Sequence, residues 1–138
     1  MQSQLNPYLS FRDTARQAME FYQGIFGGTL ESSTFKEYPG VSEDPGEDEK
    51  IMHSVLKTEN GMTLMASDTP NRMEHMQGSD FSLSLTGDDG AELRGYFEKL
   101  AADGTVTMPL EKAPWGDTFG MVKDRFGVSW LVNISPAS

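Results

Sequence analysis

Any acid–base or metal chemistry at neutral pH in this chain has only two imidazoles to draw on, His53 and His75. His53 lies in the strand-like segment IMHSVLK, from which it can project to a sheet face as a hydrogen-bonding group or general base. His75 sits beside Glu74 in NRMEHMQGSD, which reads as a surface linker. Trp115-Gly116-Asp117, just ahead of Phe119-Gly120, reads as a turn that brings an aromatic and a carboxylate together. Such a pair suits a cationic or planar ligand through stacking and charge. No serine stands in a nucleophile elbow, and no glycine-rich loop follows a strand to cradle phosphate. With no cysteine, thiolate nucleophiles, iron–sulfur clusters, zinc–thiolate sites and disulfides are excluded together. His53 and Asp117 are left as the candidate catalytic groups.

Composition narrows the partners. The chain has 138 residues, with 21 acidic side chains against 11 Lys plus Arg and a formal net charge of −10. That field repels phosphate backbones and anionic lipid, so neither nucleic acid nor a membrane surface is an expected partner. No apolar run approaches the ~18 residues of a membrane span, and Met1-Gln2-Ser3-Gln4 opens no leader sequence, which gives a cytoplasmic expectation. Half of the net charge is concentrated in Glu37 to Lys50, with six acids and one lysine in a Pro/Gly-containing loop.

The elements that must position these groups are written twice. Asn6 to Phe11 reads as a strand, Asp13 as a helix N-cap, and Ala15, Ala18, Met19, Tyr22, Ile25 and Phe26 as one helical face that stops at Gly27-Gly28. Phe81, Leu83 and Leu85 alternate in the same way. Asp89 with Glu92 then makes a capping-box variant, and Leu93, Tyr96, Phe97 and Leu100 precede Gly104. Asp13 and Asp89, like Gly28 and Gly104, are 76 apart; further on, Lys57 and Lys123, like Gly61 and Gly127, are 66 apart. Ten residues are therefore inserted in the first copy, within the acidic loop. Thr29 to Phe35, Ile51 to Thr58 and Met62 to Ser67 read as the remaining strands of one copy, with Asn60-Gly61 as a hairpin turn. Thr105 to Lys112, Thr118 to Lys123 and Val128 to Ile134 are those of the other. The glycines fall at turns and helix ends, where positive φ is expected. The fold class is α+β: two β-α-β-β-β modules, 5–70 and 79–135, forming a paired-sheet cleft within a single domain, 1–138.

This order of elements, together with PYLSFRDTARQAMEFYQGIFGG, DFSLSLTGDDGAELRGYFEKLAADG and WGDTFGMVKDRFGVSWLVNI, resembles the vicinal oxygen chelate superfamily of glyoxalases, bleomycin-resistance proteins and dioxygenases, in its PhnB-like branch. The resemblance implies a homodimer. It also implies four ligand positions in metal-using members, one on the first and one on the last strand of each module. They carry over to Asn6, Met65, Ser82 and Leu131, a set that holds no divalent ion, so neither metal nor cofactor is expected.

Strand parity sorts the same residues. Asn6, Tyr8, Ser10, Thr63, Met65, Ser67, Ser82, Ser84, Ser129, Leu131 and Asn133 share the cleft parity, whereas Leu9, Phe11, Leu64, Phe81, Leu83, Leu85, Val128, Trp130 and Val132 share the core parity. The expected function is metal-free binding of a small molecule in the cleft by Tyr8, Ser10, His53, Met65, Ser82, Trp115 and Asp117. One alternative is a lyase or dioxygenase-like enzyme that recruits a metal through a displaced set such as His53 with Asp117. Another is sequestration of a cationic antibiotic drawn in by Glu43, Asp44, Glu47, Asp48 and Glu49.

Overall fold

A computed structural model describes residues 5–37, 45–70 and 81–136. The chain divides into two compact units, Met1–Met76 and Gln77–Ser138. In the first, strand β1 (Tyr8–Phe11), helix α1 (Ala15–Phe26) and strands β2 (Thr29–Thr34), β3 (Ile51–Lys57) and β4 (Thr63–Asp68) form a sheet of order β1-β4-β3-β2. In the second, β5 (Leu83–Gly87), α2 (Gly90–Ala101), β6 (Thr105–Lys112), β7 (Thr118–Lys123) and β8 (Ser129–Ile134) repeat it as β5-β8-β7-β6. First and last strands run parallel in each sheet and the other neighbours antiparallel. The α+β expectation of two β-α-β-β-β modules is met.

The duplication extends to register. Tyr8 pairs with Met65 and Ser84 with Leu131, while Thr29 pairs with Lys57 and Thr105 with Lys123. These partners stand at the offsets of 76 and 66 read from the sequence. The helices do not keep 76. Their first residues, Ala15 and Gly90, are 75 apart, as are the buried Ala18, Tyr22 and Ile25 from Leu93, Phe97 and Leu100. The first module therefore holds one extra residue before its helix and the second holds one after it. Asp13 at φ 73° and Asp103 at φ 58°, the only non-glycine residues of positive φ among those described, absorb the two insertions. Aspartate tolerates that conformation better than most residues.

This corrects the capping expectation in the first module. Thr14, not Asp13, is the N-cap, and its side chain makes no capping bond. The first helical N–H, on Ala15, instead donates to Oδ1 of Asp68 at 2.9 Å, and Oδ2 of the same carboxylate accepts from the N–H of Ile51 at 2.9 Å. One buried side chain at the end of β4 thus holds the start of α1 and the start of β3. In the second module Asp89 caps α2 as expected, accepting from the N–H of Glu92 at 3.1 Å.

The glycine expectation needs a second correction. Gly28 has φ 94°, but Gly104 does not share that conformation. What both share is crowding: a Cβ on Gly28 would lie 2.2 Å from the Lys57 carbonyl oxygen, and one on Gly104 would lie 2.4 Å from that of Lys123. The lysine carbonyls are themselves 66 apart, so each module passes the chain leaving its helix against the same point on its third strand.

Each helix covers one face of its sheet. Leu64, Ala66 and Asp68 on β4 are buried, as are Trp130, Val132 and Ile134 on β8, whereas the alternate residues are only half-buried. Trp130 is core, as its parity requires, and its indole N–H donates to Oδ2 of Asp124 at 2.9 Å. The other Asp124 oxygen accepts from the N–H groups of Phe126 and Val128, closing the β7–β8 turn. Phe81, placed in the core by alternation, is 89% exposed. It precedes the first ladder residue, Leu83, so nothing fixes its parity.

The acidic insertion is only partly the solvated loop its composition implies. Pro45–Glu47 forms a 3-10 turn and Glu47 is buried. The Lys50 ammonium lies 2.6 Å from Asp13 Oδ1 and 3.5 Å from Glu47 Oε2. Glu43, Asp44 and the linker containing His75 lie outside the described residues. The hydrogen bond that the Lys50 ammonium donates to Asp13, against the opposing effect of desolvation, holds the Lys50 pKa above its ordinary value.

Two stability predictions follow from these contacts. Asp68→Ala strands two buried N–H groups and should lower unfolding free energy by about 3 kcal/mol, whereas Asp89→Ala should lower it by about 1 kcal/mol, both read by urea denaturation. A lysine whose folded pKa is raised stabilises fully below its unfolded pKa, and that contribution fades as pH climbs through the folded one. The stability gap between the wild type and Lys50→Met should therefore be flat from about pH 6 to about pH 10 and shrink above it.

Candidate functional site

The polar residues singled out by type lie mostly on the faces turned away from the helices. On the first sheet a bulge makes this possible. Ser33 pairs with His53 but Thr34 pairs with Ile51, leaving Met52 as the extra residue. Without it, Ile51 and His53 would share a face. With it, Ile51 is buried under α1 and donates to Asp68, while His53 turns to the far side.

There it meets Tyr8. β4 separates their strands, and Tyr8 reaches across it to bring its hydroxyl 3.1 Å from His53 Nδ1, with ring centroids 5.8 Å apart at 30°. A phenol is the stronger acid of the two, so we assign the O–H as donor and Nδ1 as acceptor for the neutral ring, which leaves the ring proton on Nε2. In that tautomer His53 offers an outward N–H donor rather than a basic nitrogen. Met65 is Tyr8's register partner, and Ser10 follows on the same edge strand and face, exposed.

On the second sheet the far face carries Ser84, Met121, Leu131, Phe119 and Asn133, by alternation with the buried Leu85, Gly120, Val122, Val132 and Ile134. Asn133, the register partner of Phe119, donates from Nδ2 to Asp117 Oδ2 at 2.9 Å. Trp115 meets Phe119 edge-on, centroids 6.3 Å apart at 64°. The structure therefore joins Tyr8 with His53, and Trp115 with Asp117 through Phe119 and Asn133. Ser82 stands exposed ahead of β5, bonded to none of these. Asn133 had the right parity in sequence, but no spacing rule links it to Asp117, because their contact depends on the β7–β8 pairing.

With this geometry in hand, the relatives are informative. The model of the Glyoxalase/Bleomycin resistance protein/Dioxygenase superfamily matches residues 4–132, and the chain belongs to that superfamily. It is 30% identical over 140 residues to Protein YjdN of Escherichia coli strain K12, covering 94% of this chain and 94% of that protein. The crystal structure of protein PA1353 from Pseudomonas aeruginosa is 38% identical, with TM-score 0.88 and coverage of 99% of this chain and 100% of that one. A PhnB protein from Bacillus cereus, described as a proposed 3-demethylubiquinone-9 3-methyltransferase, is 28% identical with TM-score 0.77, covering 96% and 100%. The PhnB-like resemblance is thus met at the level of fold and relatives.

The metal that some members of the superfamily use does not suit these residues. Asn6, Met65, Ser82 and Leu131 offer an amide, a thioether, a hydroxyl and a hydrocarbon, with no carboxylate or imidazole to neutralise a divalent ion. Asn6 and Ser82 also lie just ahead of their strands rather than within them. Among the described residues, no group of three His, Asp or Glu side chains could hold an ion elsewhere.

Tyr8→Phe should keep the fold, cost less than about 1 kcal/mol because the bond is exposed, and change the His53 Nδ1 shift in 15N spectra of the imidazole. An unchanged shift would mean that the bond is absent in solution.

Proposed function

We propose that this chain is a small-molecule-binding protein that takes its ligand on the far, helix-free faces of its modules, without a resident metal. It acts as a single domain, pairs with a second copy of itself and works in the cytoplasm. The observation that carries the reading is the chemistry of the far faces. Their polar groups are pre-bonded to each other, Tyr8 to His53 and Asp117 to Asn133, while the superfamily's ligand positions hold neutral side chains. Side chains already fixed by neighbours lose little entropy when a ligand arrives. Each bonded pair keeps one outward atom for that ligand: Nε2 of His53 as donor and Oδ1 of Asp117 as acceptor.

A second reading, a lyase or dioxygenase-like enzyme with a metal on His53, requires the opposite tautomer, in which Nδ1–H donates to the Tyr8 hydroxyl and Nε2 carries the lone pair. Electrostatic capture of a cationic antibiotic by the acidic loop loses one of its five residues, because Glu47 is buried against Lys50. Among the described residues Asp48 and Glu49 remain for that role, and Glu43 and Asp44 lie outside them.

Native mass spectrometry with elemental analysis, on protein purified without chelator, separates these readings. A dimer that carries an organic adduct and no stoichiometric metal is the expected result. One divalent ion per chain that survives dialysis would overturn it in favour of the enzyme.

A further inference from the structure

We propose that the far face of the second module holds a site for organic ammonium compounds with a flat apolar body, formed by Trp115, Phe119 and Asp117. The proposal rests on the small-molecule reading above and names its ligand class.

The site is built by a tight turn between β6 and β7. The Ala113 N–H donates to the Asp117 carbonyl at 2.7 Å and the Gly116 N–H to the Ala113 carbonyl at 2.9 Å, with Gly116 at φ 101°. A turn pinned at both levels displays Trp115 away from the core, 66% exposed. Phe119 touches it edge-on, which fixes the indole at one side and leaves ring surface for a ligand. An aromatic face offers contact area and attracts positive charge through its quadrupole.

The charge partner stands at the same end of the sheet. Asp117 is half-buried, and Oδ2 is held by Asn133, which pairs across the ladder with Phe119. The aromatic pair and the carboxylate are therefore tied to one register position. None of the ion pairs among the described residues includes Asp117. Among the described residues this fixed, partly desolvated carboxylate has a neutral amide as its side-chain partner and no cation, and an ammonium N–H at Oδ1 would supply one. The net charge of −10 raises the local concentration of cations and disfavours anionic ligands of the same shape. The first module cannot do this, since Phe119 and Asn133 are replaced there by His53 and Ser67.

Benzylammonium tests the site, with benzyl alcohol as a neutral compound of the same shape. The readout is the 1H–15N spectrum, following the Trp115 indole and the Asn133 side-chain amide. Benzylammonium should shift both saturably, with affinity on the order of millimolar for so small a ligand. Benzyl alcohol should bind at least about tenfold more weakly. Asp117→Asn keeps an oxygen for Asn133, so its spectrum should stay dispersed while the preference for the cation disappears; Trp115→Ala should weaken both compounds. Equal binding of the alcohol, unchanged affinity in Asp117→Asn, or no response at Trp115 would overturn the proposal. A neutral or acidic molecule retained in native mass spectrometry, with no benzylammonium response, would sink the cation site and leave the small-molecule reading standing.

Discussion

Each four-stranded sheet is packed by a single helix, and that one-sidedness governs everything else in the molecule. A sheet covered on one face must sort its side chains with period two, apolar toward the helix and polar away from it. β4 and β8 alternate buried and half-buried residues throughout, with Asp68 a charged residue on the near face and Met65 and Leu131 apolar ones on the far faces. Where the chain could not obey it with regular geometry, as at Ile51 and His53, a bulge restores it. The far-face chemistry is thus a by-product of the packing rule, and a one-residue slip would bury His53 and expose Leu56.

The same constraint explains which differences between the two modules are tolerated. Near-face positions mostly exchange one apolar or small residue for another, Leu64 for Trp130, Ala66 for Val132 and Leu56 for Val122, with Asp68 for Ile134 the exception. Far-face positions exchange chemistry, His53 for Phe119 and Ser67 for Asn133. Packing density punishes change in the first set and is indifferent to the second. The two faces have diverged accordingly, one toward hydrogen bonding and the other toward an aromatic and an acid.

Helix starts are a further place where equivalent problems found different solutions. α2 is capped locally by Asp89, a residue adjacent in sequence. α1 is capped by Asp68, 53 residues away, which also holds β3. At the corresponding place the second module has Ile134, buried and apolar, so its helix has no long-range acceptor to use. A local cap stabilises a helix; a remote one also ties the closure of the sheet to the helix, which concentrates much of the module's cooperativity in one carboxylate.

Sequence alone determined the duplicated order of elements, the strand parity, the register offsets and the place of the insertion, because these follow from local periodicity and from turn residues of fixed conformation. The same reasoning located Tyr8, His53, Trp115 and Asp117 by type. It misassigned Asp13, since a one-residue insertion at positive φ carries no periodic signal, and Phe81, since alternation means nothing beyond the last ladder bond. Tertiary structure decided the roles of Asp68 and Asp124, the burial of Glu47, and the pairing of Tyr8 with His53 and of Asp117 with Asn133. Each of these depends on which strands become neighbours, and neighbourhood across a sheet is set by long-range pairing that no local spacing encodes.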